Sequence, residues 1–254
     1  MSEQCLKKSL SDDGIMTLTI HRPEKRNAIN YQVMDEMASS LLEIKENKNI
    51  KVLVITGAGE QAFCSGGDLS EFHSLHTESE SYEMLSKMGD VLYSLLTLPI
   101  PTIALLNGTA VGGGCEIASA CDVRWAYPHS KVGFIQGKQG ITTGWGGGTI
   151  LMEKLLPSNA LKFLLTARVM PPEEALKFGF IDQLLNKDED WKSLLTNMIE
   201  KEQGVLLAYK QILIRKWNET RLKDRIDLEI RECAKLWESE AHLLAVRKFT
   251  EKNL

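Results

Sequence analysis

Two glycine-rich segments, Ala62-Phe-Cys-Ser-Gly-Gly-Asp68 and Asn107-Gly-Thr-Ala-Val-Gly-Gly-Gly-Cys-Glu116, hold the residues best suited to chemistry, and each follows an apolar run. Glycine lets backbone come close to a ligand. The second segment leads straight into Glu116-Ile-Ala-Ser-Ala-Cys121, a helical pattern. Gly113 and Gly114 therefore fall where a helix leaves its first N–H groups unpaired, at the positive end of its dipole. Such a place takes an anion, or an oxygen on which negative charge is developing. Either turn, taken alone, would serve equally well as an ordinary turn or helix-packing site.

Other glycine motifs fail on spacing. Neither segment is G-x-G-x-x-G, Gly133 to Lys138 lacks the gap and hydroxyl of a P-loop, and no G-x-S-x-G elbow surrounds Ser65. His73 and His76 lack a clear carboxylate partner, so no metal site is expected. Glu116 is the carboxylate nearest the glycines. In an apolar pocket its pKa would rise, which suits a group that both takes and gives a proton. At the start of a helix it would equally complement the dipole.

The elements that must position these residues are legible from hydrophobic pattern. Met16-Thr-Leu-Thr-Ile20 alternates like a half-buried strand, and Val33, Met37, Leu41 and Ile44 recur at helical spacing between Tyr31 and Lys48. Val52 to Ile55 is a continuous apolar run of the kind buried on both faces. A helix around Ser81 to Leu96, a stop at Pro99 and Pro101, and a run from Thr102 to Leu106 repeat the alternation. Val123 to Ala126 and Val132 to Ile135 look like further strands. Strands separated by helices predict an α/β fold with a parallel, helix-covered sheet. After Asp188 helical periodicity dominates to the C-terminus.

The chain has 254 residues, 43% of them hydrophobic and 25% charged, which excludes extended disorder. Net charge is −4, with Lys and Arg scattered among acids, so nucleic acid is not an expected partner. The five cysteines show no C-x-x-C pair and fit a reducing compartment. No apolar run reaches the ~20 residues of a membrane helix, and residues Met1 to Leu10 lack a signal-peptide core. A cytoplasmic, membrane-free protein is the expectation.

His21-Arg-Pro-Glu-Lys-Arg-Asn-Ala-Ile29, Ala62 to Leu69 and Ile100 to Asp122 resemble, in order and spacing, the signature segments of the crotonase (enoyl-CoA hydratase/isomerase) superfamily. Lys162 to Arg168, Glu174 to Ile181 and Ser239 to Phe249 resemble its later helices, so the likeness spans nearly the whole chain. It implies a spiral of repeated β-β-α units over 1–190 and a C-terminal helical region over 191–254 that assembles a homotrimer or hexamer. It also implies an acyl-CoA substrate, with coenzyme A as its carrier and no separate cofactor. The oxyanion hole would be the N–H groups of Gly67 and Gly113. Lys25, Arg26 and Ala28 would line the CoA entrance, the two cations being apt for phosphates, and Asp68 and Trp145 would contact substrate.

An oxyanion hole stabilises charge on a thioester oxygen while a bond at the neighbouring carbon breaks, and one donor is worth ~100- to 1000-fold in rate. Glu116 stands where hydratases carry one catalytic glutamate, while Gln136 stands at the position of the second. A carboxamide orients water but exchanges no proton. The leading expectation is an enoyl-CoA hydratase/isomerase-type enzyme, with one-carboxylate isomerisation feasible through Glu116. The alternative is decarboxylation of a methylmalonyl-like or ethylmalonyl-like CoA, which generates the enolate without a strong base. Lys131 to Gly147, notably Trp145 among its glycines, is similar to short-branched malonyl-CoA decarboxylases. A third reading is a non-catalytic CoA- or RNA-binding protein; Glu116, the glycine segments and the acidic balance stand against it, and RNA binding would require a clustered basic face.

Overall fold

The computed structural model describes residues 4–251, so the outermost residues of both predicted regions, and the side chain of Phe249, lie outside the description. The chain opens with β1 (Leu6–Leu10) and β2 (Ile15–Ile20), paired antiparallel, and β2 buries Met16, Leu18 and Ile20 as its alternation requires. α1 (Tyr31–Glu46) starts at Asn30, whose side chain accepts from Val33 N–H, and it turns Val33, Met37, Leu41 and Ile44 into the core.

One motif then repeats three times. Its first turn is β3 (Val52–Gly57), β4 (Ala62–Cys64), α2 (Leu69–Phe72) and α3 (Glu78–Leu96). The second is β5 (Thr102–Leu106), β6 (Thr109–Val111) and α4 (Gly113–Ala120), and the third β7 (Val123–Ala126), β8 (Val132–Gly133) and α5 (Gly147–Lys154). α6 (Pro157–Thr166), α7 (Pro172–Phe178) and β9 (Gln183–Leu184) follow. Next come α8 (Thr196–Ile199), α9 (Gln203–Glu219), α10 (Leu222–Trp237) and α11 (Glu240–Glu251).

In each repeat the first strand joins a six-stranded sheet ordered β1-β2-β3-β5-β7-β9, parallel except at β1, while the second joins a three-stranded sheet ordered β4-β6-β8. The chain thus winds as the expected α/β spiral of β-β-α units. One consequence matters for function. β4 and β6 are parallel neighbours in register Ala62↔Thr109 and Cys64↔Ala110, so the glycine turns that follow them emerge side by side.

The strand read over Val132 to Ile135 is shorter, ending at Gly133. Phe134 leaves the sheet to pack edge-on against Phe163 and Phe180, and Ile135 leads into a 3₁₀ turn at Gln136–Gln139. α10 contributes Ile226, Ile230, Cys233 and Ala234 to the same buried cluster as Met84, Leu85, Met88 and Leu92 of α3. The C-terminal helices are therefore part of the core that holds the glycine turns. Among the described residues no helix is long and apolar enough to cross a membrane.

Candidate active site

The two glycine turns touch. A Cβ built on Gly66 would lie 3.2 Å from the Gly113 nitrogen, and one on Gly114 would lie 2.1 Å from the Cys64 carbonyl oxygen, an approach only glycine permits. Among the described residues, neither the Gly67 nor the Gly113 N–H donates to a protein acceptor. Both glycines line a cavity of about 170 Å³ whose apolar walls include Phe72, Leu85 and Trp145. Two adjacent, unspent amides in a small apolar cavity can receive an oxyanion.

Trp145 points inward and is only 4% exposed. A Cβ at Gly113 would meet its ring atoms at 2.1, 2.3 and 2.8 Å, and one at Gly67 would lie 3.7 Å from it. The indole thus packs against both turns and narrows the cavity beside them.

Glu116 sits in the first turn of α4, but its carboxylate reaches across to the start of α5. One oxygen accepts from Gln136 Nε2 at 2.9 Å and Gly144 N–H at 3.3 Å; the other accepts from Trp145 N–H at 2.8 Å and Gly147 N–H at 2.9 Å. A carboxylate has about four lone-pair sites, so all of its hydrogen-bonding capacity is taken. Burial, reinforced by nearby Glu229, pushes this carboxyl up to about 7 despite the N–H donors that pull it back. The helix dipole that Glu116 complements is that of α5, not that of its own helix.

Gln136 is brought to Glu116 as its position implies, and its amide oxygen is buried without a partner. Asp68 is not brought to the cavity wall. It caps α2 by accepting from Ser70 N–H at 3.0 Å and pairs with Arg22 at 2.8 Å. Burial pushes the Asp68 carboxyl up, but hydrogen bonds from Ser70 and Arg22 outweigh it and leave the pKa lowered. Lys25 and Arg26 are exposed and Ala28 is buried. This segment stays outside the cavity but brackets the first glycine turn, with Ser65 N–H donating to the Arg26 carbonyl and Ile29 N–H to that of Gly66.

Three side chains from the C-terminal helices escaped sequence reasoning. Glu229 of α10 accepts from Thr143 Oγ1, Gly148 N–H and Thr149 N–H at 2.5, 3.0 and 2.5 Å. Burial pushes its carboxyl up too. Trp237 and His242 line the same cavity, with ring centroids 4.6 Å apart. Amphipathic periodicity identifies such helices but not which residue reaches a distant site.

The fold is that of solved acyl-CoA enzymes. An enoyl-CoA hydratase from Bacillus halodurans superposes with a TM-score of 0.87 at 22% identity, over 96% of this chain and 99% of that one. The sequence model for enoyl-CoA hydratase/isomerase matches residues 11–254. The chain belongs to the enoyl-CoA hydratase/isomerase family, within the crotonase superfamily. Among its relatives, ethylmalonyl-CoA decarboxylase of Xenopus laevis is 32% identical over 96% of this chain and 82% of that protein. The human ethylmalonyl-CoA decarboxylase is 31% identical over 93% and 78%. Short-chain-enoyl-CoA hydratase of Clostridium acetobutylicum is 29% identical over 94% and 92%.

Proposed function

We propose that this protein decarboxylates a short, branched malonyl-type CoA such as ethylmalonyl-CoA. The observation that carries the reading is the state of Glu116: its lone pairs are filled by four N–H donors, and its partner at the second glutamate position is Gln136. Among the described residues no pair of free carboxylates faces the cavity to activate water. Decarboxylation needs none, because loss of CO2 leaves its electron pair on the thioester. The similarity to ethylmalonyl-CoA decarboxylases over almost the whole chain supports the same reading.

In this mechanism the thioester oxygen accepts from Gly67 and Gly113 N–H. The substrate carboxylate rests against the apolar wall of Phe72, Leu85 and Trp145, where poor solvation of its charge favours departure as neutral CO2. The bond to the carboxyl carbon breaks, charge passes to the oxygen held by the two amides, and the α-carbon then takes a proton. Trp145 limits the acyl group to a short one. Coenzyme A enters as part of the substrate, with Lys25 and Arg26 as cations for its phosphates, and the enzyme works as a homotrimer or a pair of trimers.

The test is to incubate ethylmalonyl-CoA, methylmalonyl-CoA, crotonyl-CoA and a 3-enoyl-CoA with the enzyme and follow each by mass spectrometry. Loss of CO2 from a malonyl-type thioester is expected. Gain of water or movement of a double bond, with no CO2 released, would establish the second reading, a hydratase or isomerase. That reading is favoured by a Glu116 carboxyl poised at about 7, provided substrate displaces one of its donors.

A further inference from the structure

Of the described side chains lining the cavity, only Glu116 and His242 ionise in the carboxyl-to-imidazole range. Glu116 has no free lone pair, as its four donors show. His242 differs. It is 2% exposed, its Nδ1 lies 2.7 Å from the Gln139 carbonyl oxygen, and its Nε2 is buried with no partner. A carbonyl oxygen only accepts, so Nδ1 carries the hydrogen and the neutral ring leaves a lone pair on Nε2.

The imidazole is held on two sides: Trp237 packs against it, with its own Nε1 fixed 3.0 Å from the Leu75 carbonyl oxygen, and α11 packs against the turn that carries Gln139. The side-chain oxygens of Gln136 and Gln139 line the same cavity and are likewise buried without partners. The cavity that holds the two glycine amides as donors thus also holds three unpartnered acceptors. Buried acceptors left unsatisfied are costly, and a catalytic role is one of the physical reasons for keeping them.

We propose that His242 is the group that carries the proton to and from the substrate α-carbon in this cavity. The inference rests on the reading that the reaction passes through a thioester enolate, and it holds whether that enolate arises by loss of CO2 or of a proton. In the decarboxylating direction the electron pair of the broken C–C bond first resides on the thioester oxygen. It then returns to the α-carbon, which takes from Nε2 a hydrogen that the neutral ring has first accepted from water. The imidazole is left neutral, and water restores its proton, so one proton is consumed for each CO2 released. Burial lowers the pKa of His242, against the pull of the Gln139 carbonyl, which makes the imidazolium a readier donor.

The experiment reads deuterium exchange at the α-carbon of butyryl-CoA in D2O by mass spectrometry. This requires proton transfer but no carboxylate. His242→Asn keeps a side-chain N–H for the Gln139 carbonyl and removes Nε2, so a mere anchoring role would leave exchange as in wild type. A proton carrier would lose about 100-fold or more, the usual range for a general acid–base group, at an unchanged melting temperature. Free imidazole should restore exchange to His242→Ala. Exchange in His242→Asn comparable to wild type, or none by the wild-type enzyme, overturns the proposal. The two readings separate cleanly. Exchange that depends on His242 without CO2 release from ethylmalonyl-CoA would sink the decarboxylase reading alone. CO2 release with product deuteration unaffected in His242→Asn would sink this one alone.

Discussion

Glu116 and Glu229 take consecutive N–H groups at the start of one short helix: Gly147 donates to Glu116, and Gly148 and Thr149 donate to Glu229. α5 has glycine at its N-cap and no side-chain cap, so carboxylates from two other helices satisfy the orphan donors there. The turn that carries Trp145 is thereby tied to both α4 and α10. The cavity's shape depends on residues separated by more than half the described spiral in sequence.

The charge state of this pair should appear in the stability of the enzyme. Glu116 titrates at about 7 in the folded protein against an ordinary 4.5. Between those values the folded state holds a proton that the unfolded chain has released, so this group's contribution to stability falls as pH rises from 4.5 to 7 and is flat above. Glu229→Gln removes the charge that, after burial, holds Glu116 up. Melting temperatures measured from pH 5 to 8 should fall less steeply in that variant, whatever its absolute stability; parallel curves would refute the coupling.

Gly113→Ala should be destabilising through Trp145 and not through backbone conformation. The added methyl would lie 2.1 Å from the nearest indole carbon, closer than atoms can approach, so the ring must move. Overpacking of this kind costs about 1–3 kcal/mol. Urea denaturation of Gly113→Ala, Trp145→Ala and the double variant tests it. In the Trp145→Ala background the glycine substitution should cost little, and equal cost in both backgrounds would show that the clash is not with the ring.

Much of this arrangement was legible in the sequence because it is local. The alternation over Met16 to Ile20, the helical spacing of Val33 to Ile44 and the two glycine turns each encode their own geometry. β1 was not legible, since Leu6-Lys-Lys-Ser-Leu10 has no apolar alternation and buries only Leu6; its partner strand makes it a strand. Gln136 was singled out only through the resemblance to hydratases, and its contact with Glu116, like the donors Trp145 and Gly147 and the approach of His242 from 103 residues beyond Gln139, belongs to tertiary packing. Asp68 shows the same limit: its sequence neighbours place it at the glycine turn, while Arg22 turns its carboxylate elsewhere.

Assembly is expected through the outer face of α6. Leu161 and Leu165 lie one helical turn apart and are 49% and 75% exposed, with Leu156 at the helix start 70% exposed. An apolar stripe of this kind marks a protein contact. Light scattering should give the mass of a trimer or hexamer, and Leu161→Glu with Leu165→Glu should reduce it. A monomeric wild-type mass would remove the homo-oligomer from consideration.

Gln136→Glu should convert the balance of chemistry in the cavity. The substitution places a second carboxyl within hydrogen-bond reach of Glu116, where Gln136 Nε2 now donates at 2.9 Å. Two buried carboxylates this close cannot both ionise, so they share one proton and titrate as a pair, with one pKa raised further. The substitution removes one of the four N–H donors of Glu116 and puts an exchangeable proton in its place, so the pair can offer one carboxylate to take a proton from water and one carboxyl to supply it. On the decarboxylase reading, hydration of crotonyl-CoA should therefore rise relative to wild type, while CO2 release from ethylmalonyl-CoA should fall because a second acidic group faces the departing carboxylate. Both rates, measured on the same preparation with melting temperature as a control for folding, decide the matter. Decarboxylation unchanged and hydration not raised would mean that the carboxamide at position 136 does not set the balance between the two reactions.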